Sequence, residues 1–375
     1  QETGKPIDGH FPNGKGEVLS DYIQKGISTD HECSTLEEGE ERCRQGMFVQ
    51  IREGSAAKNF NALHPLIKEF PDKVMLCSDD IHPNTLLERH INGLVKRALD
   101  LGYDLYDVLR ASSYNQAKHY GMPIGFLQEG DSADFIIIDD LKALNIKETF
   151  VKGECIYDGK EIHFPEKDVV PINKFHAQPI TMKELEVKAI SDMMRVIVCT
   201  DGNLDTSEEI VSPAVKEGMA ISDTSTDIIK IVVVNRYQKA PLSIGFIKGT
   251  GLKRGAVAQS ITHDSHNIIA IGCTDEELAK AINEVILQQG GITVVNGTET
   301  TTLSLPIAGL LSPLPLDEID ATYRILESKM QDLGSTLSSL QMTLAFMSLL
   351  VIPSLKLGDK GLFNGDKFSF TTLFV

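Results

Sequence analysis

Three polar clusters hold residue types able to do chemistry: Asp8-Gly9-His10, Thr29-Asp30-His31-Glu32 and Ser78-Asp79-Asp80. Each is expected at or just beyond the C-terminus of a strand. Two imidazoles and a carboxylate converging at strand ends form a ligand set for a divalent transition metal. Such an ion lowers the pKa of a bound water toward 7 and makes hydroxide available at neutral pH. A second carboxylate beside it, such as Asp80, would hold or shuttle a proton. Singly, each cluster has a plainer reading. His10 or His31 serves as a loop or cap histidine, and Asp79-Asp80 as a helix start or solvated pair. Only the set, in strand–loop context, favours a site.

Three further segments carry two readings each. Arg52-Glu53-Gly54-Ser55 closes another apolar run. Ser55 there is either the N-cap of a helix from Ala57 or, with Glu53, a substrate-facing group. His90 lies inside an expected helix, where a histidine is structural or solvated unless its end points at the site. Thr262-His263-Asp264-Ser265-His266-Asn267 is either a polar turn before a strand or a loop covering the active site, which makes His263, Asp264 and His266 a candidate lid. Gly249 to Gly255 resembles a phosphate loop only superficially, because the GxxxxGK[ST] spacing is absent.

These clusters need strands to carry them. Ile27–Thr29, Met47–Ile51 and Val74–Cys77 are short apolar runs of the kind found in buried parallel strands. Helices are expected over Glu38–Arg44, Ala57–Lys68, Leu86–Leu101 and Leu105–Tyr120, the last stopped by Gly121. In the third, Leu87, Ile91, Leu94 and Ala98 form one stripe at helical spacing. Alternating strand and helix, with polar residues at strand C-termini, predicts an α/β barrel or a doubly wound sheet. A small β-module follows over 126–165, with a strand after Gly130 and a hairpin of Ile146–Val151 and Glu154–Tyr157. A Pro-marked connector runs from Pro165 to Pro179. A second α/β domain is expected over 180–375, with strands Arg195–Thr200, Ile228–Asn235, Leu242–Ile247, Asn267–Cys273 and Gly291–Asn296. Its helices are Asp275–Gln289, with Thr274 as N-cap, and Asp317–Gln331.

The 375 residues predict two or three domains, and 42% hydrophobic with 24% charged residues excludes a disordered chain. A formal net charge of −17 argues against a nucleic-acid partner and fits a small or neutral ligand. Six scattered cysteines without CxxC spacing read as reduced thiols, consistent with a cytoplasmic protein. The start has no apolar h-region. The uncharged stretch Gly334 to Leu355 is apolar only over Met342–Ile352, too short for a membrane span, and reads as a buried helix.

Together these motifs resemble the C-terminal part of a bacterial-type adenine deaminase of the amidohydrolase superfamily. The carrying segments are Asp8-Gly9-His10, Thr29-Asp30-His31-Glu32, Ile51-Arg52-Glu53-Gly54-Ser55-Ala56, Cys77-Ser78-Asp79-Asp80 with His82-Pro83, and Gly130 to Phe135. In the second region Asp201-Gly202-Asn203, Gly245–Lys248, Ser260–Asn267 and Pro353–Phe363 resemble the family's own extra domain. The resemblance covers essentially the whole chain. It implies the C-terminal half of a (β/α)8 TIM-like barrel, residues 1–125, with His10 and His31 as metal ligands from the fifth and sixth strands.

By the same resemblance, Asp79 follows the eighth strand, touches metal and hydroxide and passes the proton. Glu53, Ser55, Asp80 and His90 are candidate substrate-side groups. The implied reaction is adenine plus water to hypoxanthine plus ammonia, a purine-salvage step, with metal-bound hydroxide attacking C6. A binuclear centre of Mn2+ or Fe2+ is implied. The chain departs from the family pattern in lacking an HxH pair, and a complete barrel takes about 250 residues. Four barrel strands are therefore expected to be missing, and the open half-barrel to associate into a homo-oligomer. The competing expectations are another cyclic-amidine or amide hydrolase, and an inactive binding or assembly fragment.

Overall fold

The computed structural model describes residues 3–55, 57–164 and 170–375. It divides into two compact units, Gln1–Lys167 and Asp168–Val375. Ala56 of the strand-to-helix motif and 165–169 of the connector lie outside the described residues.

The first unit is built on β1 (Ile7–Gly9), β2 (Ile27–Asp30), β3 (Phe48–Arg52) and β4 (Val74–Cys77), ordered β1-β2-β3-β4. All three pairings are parallel, as chain segments joined by helical crossovers must be. Burial alternates along β3: Val49 and Ile51 are fully buried, while Phe48, Gln50 and Arg52 are only partly so. The buried set packs with Val74, Leu76, Phe60, Leu63, Leu66, Ile67, Leu94 and Val108. One sheet face thus meets helices, and the other carries polar side chains.

The intervening helices are more broken than the hydrophobic stripes predict. Leu86–Leu101 is two helices, Pro83–Glu88 and Ile91–Asp100. His90 sits at the break with φ −133° and ψ −136°, and its amide donates to Asn92 Oδ1 at 2.9 Å. The side-chain acceptor substitutes for the missing helical carbonyl. Ala57–Lys68 is likewise Phe60–Leu63 and Leu66–Glu69, split where Pro65 lacks an N–H. Ser55 therefore caps no helix; its hydroxyl accepts the His82 amide at 2.8 Å. Leu36–Arg44 begins with a full capping box, Thr35 and Glu38. The segment from Leu105 to Tyr120 stays helical through a π turn at Arg110–Tyr114 and ends at Gly121, φ +60°.

A three-stranded antiparallel sheet follows, β5 (Phe135–Ile138), β6 (Ile146–Val151) and β7 (Glu154–Tyr157). Lys152 and Gly153, at φ +52° and +82°, make the tight turn whose twist suits a two-residue hairpin.

The second unit has fourteen further strands among its described residues. They are β8 (Val187–Lys188), β9 (Met194–Val198), β10 (Ser207–Val211), β11 (Val215–Lys216), β12 (Met219–Ala220), β13 (Ile228–Val234) and β14 (Ser243–Lys248). Then come β15 (Ala256–Gln259), β16 (Ile268–Gly272), β17 (Gly291–Asn296), β18 (Glu299–Ser304), β19 (Leu355–Gly358), β20 (Gly361–Asn364) and β21 (Ser369–Phe370). Eight form one sheet, β10-β9-β14-β13-β16-β15-β17-β18. Only β14–β9 is parallel; the rest pair antiparallel, so this second α/β domain is built on a largely antiparallel sheet.

Helices cover both faces of that sheet. Helix Asp275–Leu287, N-capped by the Thr274 hydroxyl, packs Leu278, Ile282 and Val285 onto Val232, Val234 and Ala270. Leu316–Asp332 and Leu340–Phe346 pack Leu326, Met330 and Leu344 onto Ile229, Ile231 and Val233. β13 is consequently buried at every residue. The apolar stretch near Met342 is one of these core helices, and no described helix is long and apolar enough to cross a membrane.

Candidate active site and metal centre

In the first unit the polar clusters fall just past the C-terminal ends of neighbouring parallel strands. His10 follows β1, His31 and Glu32 follow β2, Arg52 ends β3 and Asp79 follows β4. Residues two apart share a sheet face, so Asp8, Thr29 and Gln50 lie one step below His10, His31 and Arg52. That lower row is a hydrogen-bonded network. Tyr120 donates to Asp8 Oδ1 at 2.9 Å and accepts from Gln50 Nε2 at 2.8 Å, and Thr29 also donates to Asp8. Burial and then the Asp8 carboxylate push the Tyr120 hydroxyl up to about 12, so it remains a donor at neutral pH.

The turns that carry the histidines share one anchor. Asp30, fully buried, accepts the Phe11 amide on Oδ2 at 2.7 Å and the Glu32 amide on Oδ1 at 2.8 Å. Those amides belong to the residues directly after His10 and His31. Arg42, also fully buried, lies 3.5 Å from Asp30 and donates to the Phe11 carbonyl. Burial raises the Asp30 pKa, against the lowering by the Glu32 amide and Arg42. One buried ion pair therefore sets two loops at once.

Above it, His10 Nδ1 lies 3.0 Å and His31 Nε2 3.3 Å from Glu32 Oε1, and the two rings meet edge to face at 4.5 Å. All three ligand atoms fall within 4.8 Å of one another. Two imidazole nitrogens and one carboxylate oxygen at that spacing fit a divalent transition metal. Burial disfavours the Glu32 carboxylate, but hydrogen bonds from His31 and His10 and the Arg52 charge hold it down at about 2. Burial likewise opposes a charged His31, yet the Glu32 hydrogen bond and charge outweigh it and raise the imidazole pKa.

Arg52 joins this cluster to Asp79, with Nη2 at 2.7 Å from Glu32 Oε2 and Nη1 at 2.6 Å from Asp79 Oδ2. Asp79 adopts φ +57°, and its Oδ1 accepts the Asp80 amide at 2.8 Å. Asp79 is thus placed on Arg52, and the carboxylate gathered with His10 and His31 is Glu32. Glu32 and Arg52 lie inside motifs quoted from the sequence, but neither was assigned a role there. Glu32 had one signal, its place directly after His31. Arg52 had another, its two-residue offset from Gln50 at a strand end.

The substrate-side candidates collect nearby. Glu53 and His90 line one small pocket with Ser78, Ile81, Leu94 and Arg97. Arg97 pairs with Glu53 at 3.0 Å and stacks over Phe60, and His90 Nε2 lies 3.2 Å from Ser78 Oγ. Ser55 sits behind them, its amide on the Asp80 carbonyl at 2.7 Å.

In the second unit His263 stacks on Phe346 at 4.4 Å, its ring 6.2 Å from that of His266. Thr262 Oγ1 closes the turn onto the Asn267 carbonyl at 2.6 Å. The Gly249–Gly251 amides that resembled a phosphate cradle are filled from within, donating to Asp227 at 3.0 and 2.9 Å. That loop is a structural turn.

Residues 1–156 match the amidohydrolase family, and 203–369 match the adenine deaminase C-terminal domain. An adenine deaminase of Parabacteroides distasonis is 57% identical over 375 residues, covering 100% of this chain and 69% of that protein. One from Methanosarcina mazei is 47% identical over 388 residues, covering 100% and 70%. One from Salinibacter ruber is 46% identical over 378 residues, covering 100% and 69%. A solved β-aspartyl dipeptidase of Fervidobacterium islandicum aligns over 43% of this chain and 48% of that one, with 23% identity and a TM-score of 0.35.

Proposed function

This chain belongs to the adenine deaminase family, and from that premise we propose that it acts in the hydrolytic deamination of adenine to hypoxanthine and ammonia. The observation that carries this reading is the meeting of His10, His31 and Glu32 within 4.8 Å at strand C-termini, with Asp79 one guanidinium away. Those three residues would hold a divalent ion, manganese or iron on the family resemblance, with a second ion in the complete centre. Bound there, such an ion supplies hydroxide at neutral pH by lowering the pKa of water.

The chain's own groups do the rest. Ring N1 takes up the proton that water loses on becoming hydroxide, the oxygen adds to C6, and Asp79 accepts that oxygen's remaining proton and returns it to the departing amine. The C6–N bond then breaks, and ammonia leaves. Glu53 and His90, which line the same small pocket, present an acceptor and an imidazole to the purine edge, and Ser55 and Asp80 are tied to each other through their backbones. Proton transfer of this kind contributes about 10²–10⁴-fold. The lid reading of His263, Asp264 and His266 rests on their residue types and spacing.

Purified chain supplied with Mn2+, followed by adenine loss in the ultraviolet, tests the proposal. The expected outcome is turnover that falls by about 10³-fold in Asp79→Ala. Absence of both turnover and stoichiometric metal would favour the binding or assembly reading instead. A cytoplasmic setting within purine salvage accords with the six free cysteines. Self-association is supported by exposed apolar side chains around the β5–β7 sheet, among them Ile136, Ile162 and Phe164, and is read by light scattering.

A further inference from the structure

Arg52 is the last residue of β3 and touches both carboxylates of the site. Its Nη2 donates to Glu32 Oε2 at 2.7 Å, which leaves Oε1 facing His10 Nδ1 at 3.0 Å and His31 Nε2 at 3.3 Å. Its Nη1 donates to Asp79 Oδ2 at 2.6 Å. Asp79 needs such a restraint, because φ +57° is sparsely populated by residues with a Cβ. A guanidinium can bridge two carboxylates in this way because it is planar and its donors are fixed in a fork, whereas an ammonium is a single point charge on a flexible stem.

We propose that Arg52 is a positioning residue for the metal centre. It bridges Glu32 and Asp79, so that Glu32 offers one oxygen to the histidine pair while Asp79 is held apart for proton transfer. The inference rests on the metal-dependent reading above.

The sign of its effect separates this role from charge alone. Arg52 is a cation beside a cation site, so by Coulomb's law its removal should tighten metal binding. Loss of positioning does the opposite: removing the hydrogen-bond partner of a metal ligand weakens affinity about 10–100-fold. The experiment is Mn2+ titration of the whole chain, with free Mn2+ read by electron paramagnetic resonance. Wild type, Arg52→Gln, Arg52→Lys and His31→Ala are compared, each with a thermal melt.

The expected result is Mn2+ binding weakened by about 10–100-fold in Arg52→Gln. Arg52→Lys should also weaken it, because one ammonium cannot hold both carboxylates, and His31→Ala should abolish it. Equal or tighter Mn2+ binding in an Arg52→Gln variant that melts like wild type overturns the proposal. So does full affinity in Arg52→Lys, which would show that no fork bridging both carboxylates is needed. Should Arg52→Gln fail to fold, the charge-retaining lysine variant decides alone. Mn2+ uptake unaffected by His31→Ala would refute the metal reading itself, and the role of Arg52 with it.

Discussion

The first unit's sheet packs one face and keeps the other polar, whereas the second unit's large sheet is packed on both. In β3, Val49 and Ile51 go to the helices while Gln50 and Arg52 face away and join hydrogen-bond networks. In β13 all seven residues are buried, with Ile229, Ile231 and Val233 against one helix layer and Val232 and Val234 against the other. Chemistry needs side chains that packing has not used. The first sheet has a face of them, and the second has almost none. Paired charge follows the same division. In the first unit charged groups converge on one another, as Arg42 with Asp30 and Arg52 with Glu32 and Asp79. In the second they are isolated fastenings, as Lys230 on Asp275 at the start of helix Asp275–Leu287.

If the comparison holds, stability and site geometry are coupled in the first unit and uncoupled in the second. The largest effect is expected for Asp30→Ala, which strands Arg42 without a carboxylate and releases the Phe11 and Glu32 amides. Loss of one partner of a buried pair costs about 3–5 kcal/mol. Urea unfolding should show that loss, and Mn2+ affinity should fall with it. A destabilised variant with wild-type Mn2+ affinity would break the coupling.

Next comes Ile231→Ala, at the centre of the second sheet. Deleting its buried methyl groups should cost about 3 kcal/mol through lost transfer energy and a cavity. Here Mn2+ affinity is expected to stay unchanged; a drop would show that the two units communicate.

The smallest effect concerns pH. Lys356 is fully buried on the Leu204 carbonyl, and burial lowers its pKa to about 8 against the nearby Asp205. Unfolded, it titrates at its ordinary 10.5. Below pH 8 both states are protonated and the cost of burying the charge is complete. Between 8 and 10.5 the unfolded chain binds more protons, so this lysine's contribution to stability rises with pH, by about 2 kcal/mol once pH 10 is reached. Cys199, pushed up to about 12 by burial, acts oppositely above pH 9, so wild type must be compared with Lys356→Met. A stability difference that does not narrow from pH 8 to 10 would discount the lysine.

Much of the site's membership was legible and much of its wiring was not. His10, His31 and Asp79 stood out because few residue types ligate metals or move protons, and they were expected at strand ends. Val74–Cys77 and Gly291–Asn296 were legible to the residue, because β-branched and apolar runs bounded by polar residues identify buried strands. The edge strands of the eight-stranded sheet escaped. Ser207–Val211 and Glu299–Ser304 are polar because an edge keeps water on one side, which erases the apolar signal. Ala256–Gln259 escaped for the opposite reason: its small side chains fit beneath helix Asp275–Leu287 but resemble no strand pattern. Helix breaks at His90 and Pro65 were hidden by stripes that continue across them.

By itself, then, the sequence determined which residues are chemically able and which segments must be buried, since both follow from side-chain type and local period. It also determined the family resemblance, carried by short motifs that do not depend on distance. Tertiary structure alone decided that Glu32 is the carboxylate gathered with the histidines and that Arg52 lies between it and Asp79. It alone decided that Asp30 fastens both histidine turns. The long-range ones among those contacts join residues 19 to 27 positions apart through strand register and side-chain direction. Residue type limits what a group can bond, but only the packed chain brings its partner within 3 Å.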